Sequence, residues 1–291
     1  VSHPPVRIAA APISWGVSEV PGWGHQLAPE HVLAQMRDLG IEATEFGPDG
    51  FLPDDPEQKA ATLAAFGLRA VGGFLPVVLH DPAVDPLPIV DRFIDALLAS
   101  GAEVVVVAAA SGADGYDARP DLDAGQWRTL LENLDRIAER AAERGVVAAI
   151  HPHVGTMVQT SDEVERVLTG SRIGLCVDTG HLMVGGADPV ALVERHPERV
   201  THVHLKDVDA KLAHEVLLGE LPFGDAVAAG LFRPLGAGDV EIARMIRALR
   251  DHGYAGWYVL EQDIKLSGVP DGEGPLGDVR ASRDYVLQVA S

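Results

Sequence analysis

Short apolar runs alternate with helix-like segments along the whole chain, and this rhythm limits the fold more than any other feature. The runs occupy residues 8–13, 43–46, 70–74, 104–108, 146–150, 173–177, 200–205 and 257–260, eight in all. Between them lie segments with helical spacing and recognisable ends. Residues 27–39 carry Pro29 near the start and stop at Gly40, a helix entry and exit signal. Residues 89–98 stop at Gly101, 127–142 at Gly145, and 242–249 at Gly253. Strands alternating with helices imply parallel pairing with right-handed crossovers. Eight such units in 291 residues fit one α/β domain, a (β/α)8 or TIM barrel spanning 1–291. A doubly wound open sheet is the competitor. No G-x-G-x-x-G follows the first run and no Walker loop occurs, so no nucleotide cofactor is expected. One stretch breaks the rhythm. Residues 209–234 are too long for a routine βα connection, and in a barrel they fall on the catalytic face, where they read as an inserted lid or substrate loop.

Bulk properties narrow the partners. The chain is 47% hydrophobic with a net charge of -20. That charge repels nucleic-acid phosphate and anionic membrane, so neither is an expected partner. A single cysteine, Cys176, excludes an intramolecular disulfide framework and reads as a buried strand thiol. Val1-Ser2-His3-Pro4-Pro5 lacks a basic region ahead of an apolar one, and the run 104–110 is too short to span a bilayer. A soluble cytoplasmic protein acting on a small molecule is expected. A homo-oligomer is compatible with the sequence.

In a barrel, the C-terminal strand ends converge on one site, so their residues report function directly. The first run leads to Ser14-Trp15-Gly16, and the second ends at Glu45-Phe46-Gly47-Pro48. The fifth ends at His151-Pro152-His153. The sixth ends at Asp178, with His181 three residues on. The seventh ends at His204-Leu205-Lys206-Asp207 and the eighth at Glu261-Gln262-Asp263. Charged groups at the ends of buried strands are costly unless they bind or react with something. Carboxylates mixed with imidazoles suit a borderline divalent ion such as Mn²⁺, Co²⁺ or Zn²⁺. Asp178 and Glu261 supply charge and His204 supplies nitrogen. His202 shares the face of His204 but lies deeper, and reads as a core or supporting group. Trp15 is a candidate for stacking on a substrate ring, with a core role as the alternative.

Six motifs then carry a family resemblance, in order, from about residue 7 to 285. The first is Glu45-Phe46-Gly47-Pro48-Asp49-Gly50-Phe51-Leu52-Pro53. His151-Pro152-His153-Val154-Gly155-Thr156 and Asp178-Thr179-Gly180-His181 follow. Next come His202-Val203-His204-Leu205-Lys206-Asp207-Val208 and Pro234-Leu235-Gly236-Ala237-Gly238. The last is Gly253-Tyr254-Ala255-Gly256-Trp257-Tyr258-Val259-Leu260-Glu261-Gln262-Asp263. Together they resemble the inosose (2-keto-myo-inositol) dehydratases of the xylose-isomerase-like barrel superfamily. The resemblance implies one metal held by the end of strand five, Asp178, His204 and Glu261, with Mn²⁺ or Co²⁺ foremost and Zn²⁺ or Mg²⁺ as alternatives. The strand-five ligand in the superfamily is usually a Glu before Pro. Here that residue is His151, which would bind through nitrogen; His153 as a substitute, or three protein ligands completed by waters, are the alternatives.

The implied reaction is dehydration of a keto-cyclitol in inositol catabolism. A divalent ion at the ketone oxygen would stabilise the enolate formed on proton removal. One residue takes the α-proton and another protonates the departing hydroxyl. Lys206, His181, His153 and Glu45 are the proton-transfer candidates. Lys206 would polarise the carbonyl, or act as base if metal and burial lower its pKa. Glu45, His153 and Trp15 are also candidates for holding substrate. Sugar isomerisation or epimerisation, and cleavage of 3-keto-glycosides, would use the same metal and are the alternatives. A repair nuclease on this barrel would need a basic groove, which the charge excludes.

Overall fold

The computed structural model describes residues 4–113, 115–117 and 119–291. Val1-Ser2-His3, the start of the leader argument, lies outside them. The strands are β1 (Arg7–Ala10), β2 (Ala43–Thr44), β3 (Arg69–Ala70), β4 (Gly72–Val77), β5 (Val104–Ala109), β6 (Val147–Ile150), β7 (Gly174–Asp178), β8 (Val200–Leu205), β9 (Asp207–Val208), β10 (Phe232–Arg233) and β11 (Trp257–Leu260). The helices are α1 (Pro29–Asp38), α2 (Pro56–Ala65), α3 (Leu87–Ala99), α4 (Ala124–Glu143), α5 (Ser161–Gly170), α6 (Thr179–Val184), α7 (Pro189–Arg195), α8 (Ala210–Leu217), α9 (Phe223–Ala228), α10 (Ile242–Asp251) and α11 (Pro275–Ala290).

Nine strands form one parallel sheet in the order β3-β2-β1-β11-β8-β7-β6-β5-β4. Its two ends, β3 and β4, are separated in the chain by Val71 alone. They are halves of the third barrel strand, so the sheet curls back to its own beginning. Val71 N donates to Thr44 O at 2.9 Å and Phe46 N to Gly72 O at 3.0 Å, which carries the second strand's pairing across that break. The result is the eight-unit barrel expected from the rhythm of the sequence. β5 is buried at every position because parallel strands face helices outside and packed side chains inside.

The local signals act as read at α1, where Pro29 opens the helix and Gly40 follows it with φ 72°. α4 begins with a capping box that pairs Asp123 with Gln126. The first apolar run is shorter as a strand than its hydrophobicity suggests. Pro12–Trp15 form a 3-10 turn instead, since Pro12 has no N–H to give to the ladder. Residues 209–234 are no open loop. They fold into α8, α9 and β10, and β10 pairs antiparallel with β9.

The register of β7 and β8 sets up the site. Leu175 pairs with Val200 but Cys176 with His202, so Thr201 is skipped. This bulge aligns Cys176 with His202 and Asp178 with His204 on one face. Gly174 makes room for it, since a Cβ there would strike the Thr201 side chain. β11 lies on the other side of β8 with Val259 beside His204. Cys176 is a buried free thiol.

Candidate active site

Asp178, His204 and Glu261 meet where β7, β8 and β11 end, and His151 joins them from β6. One donor atom from each of these four residues lies within 4.8 Å of the other three. His151 Nε2 and His204 Nδ1 stand 3.4 Å and 3.5 Å from Asp178 Oδ2. His204 Nδ1 also touches Glu261 Oε2. Asp178 Oδ2, His204 Nδ1 and Glu261 Oε2 are buried with no hydrogen-bond partner. Orphaned polar atoms in a protein interior are costly, and three of them aimed at one point call for a shared partner. Two imidazole nitrogens and two carboxylates fit a borderline divalent cation in that role.

The remaining bonds fix which nitrogen faces the centre. His151 Nδ1 lies 2.8 Å from the Pro152 carbonyl and donates to it, leaving Nε2 as the free lone pair. His204 Nε2 lies 2.9 Å from Glu45 Oε1, leaving Nδ1 free. His202 Nε2 contacts the same oxygen at 2.7 Å. His202 is therefore a supporting group, and Glu45 is held between two imidazoles. Burial opposes charge on Glu45, but His204 and His202 together hold its carboxyl well below the usual range. Both imidazoles engage Glu45 Oε1, so this carboxylate fixes the orientation of His202 and His204.

Lys206 is fully buried one pleat beyond His204. Its Nζ lies 2.6 Å from Asp263, 3.4 Å from Asp178 and 3.5 Å from Glu261. Burial works against its charge, but these three carboxylates outweigh it and hold the ammonium above its ordinary pKa. The lowering that a base role for this lysine requires is not met, because the neighbouring strand ends supply more negative charge than burial can offset. Asp207, the residue beside it, points away. It accepts from the backbone N–H of Val208, Gly236, Gly238 and Val240, which anchors the Pro234-to-Gly238 motif.

His153 and His181 stack with ring centroids 3.7 Å apart. Burial pushes His153 down to about 3, with His151 and Lys206 adding repulsion. Burial and His153 likewise hold His181 well below its ordinary value. Both are neutral imidazoles. His181 sits in the first turn of α6, which Asp178 Oδ1 caps by accepting from Gly180 N and His181 N. A Cβ on Gly180 would press on Lys206 and Phe232, both at 2.7 Å, so the glycine keeps the lysine in place.

A cavity of about 190 Å³ opens beside this centre, lined among others by Glu45, His151, His153, Lys206, Glu261 and Asp263. Trp15 is not among its walls. It is fully buried, and its Nε1 donates to Gln35 on α1 at 2.7 Å, so the stacking role is corrected to a core one. Aromatic lining comes instead from Phe46, Phe74 and Phe93 and from a cluster of Trp23, Tyr116 and Phe223, whose rings pack edge to face or tilted against one another. In that cluster Trp23 and Tyr116 belong to irregular segments and Phe223 to α9. Phe223 and Phe232, both in the 209–234 segment, also pack on His181. Asp263 is a site residue that strand-end reasoning left unassigned. Burial, Glu261 and Asp178 raise it to about 7 against the pull of Lys206.

The model of the xylose isomerase-like TIM barrel matches residues 33–282. The chain belongs to that family. The rhizopine catabolism protein MocC of Rhizobium meliloti is 36% identical over 267 residues, 89% of this chain and 82% of that protein. An inosose dehydratase of Geobacillus kaustophilus is 31% identical over 272 residues, 89% and 88% of the two chains. These identities bear out the resemblance read from the six motifs. Among solved structures, the IOLI protein with a bound zinc atom superposes with a TM-score of 0.68 over 98% of each chain. Its 13% identity makes that a likeness of fold.

Proposed function

We propose that this barrel enzyme is a metal-dependent hydro-lyase that removes water from a keto-cyclitol, with 2-keto-myo-inositol as the first substrate to test. The observation that carries the reading is the convergence of three orphaned ligand atoms, on Asp178, His204 and Glu261, beside His151 at the wall of a ring-sized cavity. The dehydratase half of the reading draws on the relatives of that name and on the six motifs. A divalent cation held by His151, Asp178, His204 and Glu261 would supply Lewis acidity, stabilising negative charge on the substrate oxygen as the α-proton leaves. Mn²⁺ and Co²⁺ suit this donor set, as does Zn²⁺.

The chain's own groups divide the two proton transfers by charge. His153 Nδ1 donates to the Val154 carbonyl at 2.7 Å, which leaves Nε2 with a lone pair in a neutral ring. It can accept the α-proton, and His181, stacked on it, is the second acceptor. Lys206 is charged and its neighbour Asp263 lies at 2.6 Å, so this pair can give a proton to the departing hydroxyl. The C–O bond breaks, water leaves, and the resulting enol tautomerises to a dione. Glu45 keeps His204 turned toward the centre. The 209–234 segment acts as a lid whose Phe223 closes one cavity wall and keeps bulk water from the reacting carbons.

NMR of 2-keto-myo-inositol turnover in D₂O tests the reaction type. Dehydration yields a dione or its enol with one ring oxygen fewer. Deuterium exchange or an inverted stereocentre with every hydroxyl intact would overturn dehydration in favour of epimerisation.

A further inference from the structure

The cavity has a second end that the proposed chemistry does not use. Glu45 turns toward His204, but the next residue, Phe46, carries its ring toward α2. Lys59, from the first turns of α2, lines the cavity with its ammonium 4.3 Å from the Phe46 ring centroid. This ammonium is half-buried. Among the described residues it makes no ion pair and no hydrogen bond. A lysine withdrawn from water ordinarily finds a carboxylate. Here Asp49 and Asp54 act on it from a distance without pairing. A ring face offsets part of the lost hydration, yet it takes up none of the three N–H donors. Those donors are directed at whatever fills this end of the cavity.

The same end is lined by Asp49 and Asp54, the two carboxylates that act on Lys59. One cation between two carboxylates leaves this end net negative, which repels a phosphate or carboxylate substituent. A neutral hydroxyl suits the mixture, because it accepts from the lysine and donates to the acids. We infer that this end is a hydroxyl-reading subsite that admits a neutral polyol and rejects a phosphorylated one, with Lys59 as its specificity-determining residue. The inference rests on the keto-cyclitol reading and adds to it. The ring is gripped at its ketone side by the ionic centre and at its far hydroxyls by Lys59, which selects for the unphosphorylated ring.

Titration calorimetry on the metal-loaded protein tests this with myo-inositol, which has no ketone and so gives a signal free of turnover. Wild type should bind myo-inositol and bind a myo-inositol monophosphate at least about tenfold more weakly. Lys59→Met should weaken myo-inositol binding by about tenfold or more, the scale of one charge-assisted hydrogen bond. Lys59→Arg should recover part of the loss. In turnover of 2-keto-myo-inositol, Lys59→Met should raise KM while kcat stays near wild type. Equal myo-inositol affinity in Lys59→Met, or a monophosphate bound as tightly as myo-inositol, overturns the inference and leaves the dehydratase reading standing. A wild type that binds no cyclitol overturns the substrate class, and this subsite with it.

Discussion

Asp178 and Asp207 are both completely buried and both stand at the mouth end of neighbouring strands, yet their surroundings differ in kind. The two oxygens of Asp207 accept four backbone N–H groups, from Val208, Gly236, Gly238 and Val240, at 2.8–3.1 Å. A Cβ on Gly238 would collide with the carboxylate, so the turn is moulded around it. Asp178 is satisfied on one side only. Oδ1 caps α6, while Oδ2 has no hydrogen bond and faces His151, His204 and Lys206. A carboxylate fully wired to backbone holds structure. One left half-wired among imidazoles and an ammonium has been kept open for something that arrives later. Burial alone does not separate the two cases, and the count of unmet bonds does.

The sharpest way to break this contrast is to remove each carboxylate and read two quantities. Asp178→Ala should lose its divalent ion by metal analysis and lose at least about 10³-fold in turnover, the several kcal/mol of Lewis-acid stabilisation. Its stability should fall only by the roughly 1 kcal/mol of a lost helix cap. Asp207→Ala should do the reverse. It should lose about 3 kcal/mol or more in denaturant unfolding, from stranded backbone donors, with metal per folded molecule unchanged. Full metal content in Asp178→Ala would sink the assignment of the centre.

Lys206→Met sharpens the contrast within the half-wired region. Turnover should drop by at least about 10²-fold, the usual scale of an acid–base group, while metal content stays near wild type. Unchanged turnover would make Lys206 a counter-ion for Asp178, Glu261 and Asp263 and nothing more. The smallest effect is expected at Trp15→Phe. Steady-state kcat and KM should stay within about twofold, with about 1 kcal/mol of stability lost along with the Gln35 hydrogen bond. A large rise in KM would return Trp15 to the substrate.

The strand rhythm and the four donors His151, Asp178, His204 and Glu261 were legible in the sequence because both follow from short-range rules. Apolar runs bounded by Gly and Pro mark buried strands, and polar residues at their ends are conspicuous against that background. The sequence leaves the strand-five position open between His151 and His153, and the structure sets His151 Nε2 beside Asp178 Oδ2. Proton-transfer roles were less legible. Lys206 would have been a base only with a lowered pKa, and the sign depended on Asp178, Asp263 and Glu261, which belong to other strand ends. Glu45 reads as a base or as a partner for substrate hydroxyls, and its contacts with His202 and His204 come from a strand distant in the sequence. Trp15 and the lining rings Trp23 and Tyr116 could not be told apart by pattern, since irregular segments carry no periodicity to say which way a ring points.

By itself the sequence determined the alternation of strand and helix, the eightfold count and the chemical inventory at the strand ends, because these depend on neighbours a few residues away. Only the tertiary structure decided the Leu175–Cys176 register shift that sets His204 beside Asp178, the charge state of Lys206, and the placement of Lys59 over Phe46. Each of these depends on the distance between side chains far apart in the chain, and electrostatic and packing energies turn on ångströms that no local pattern encodes.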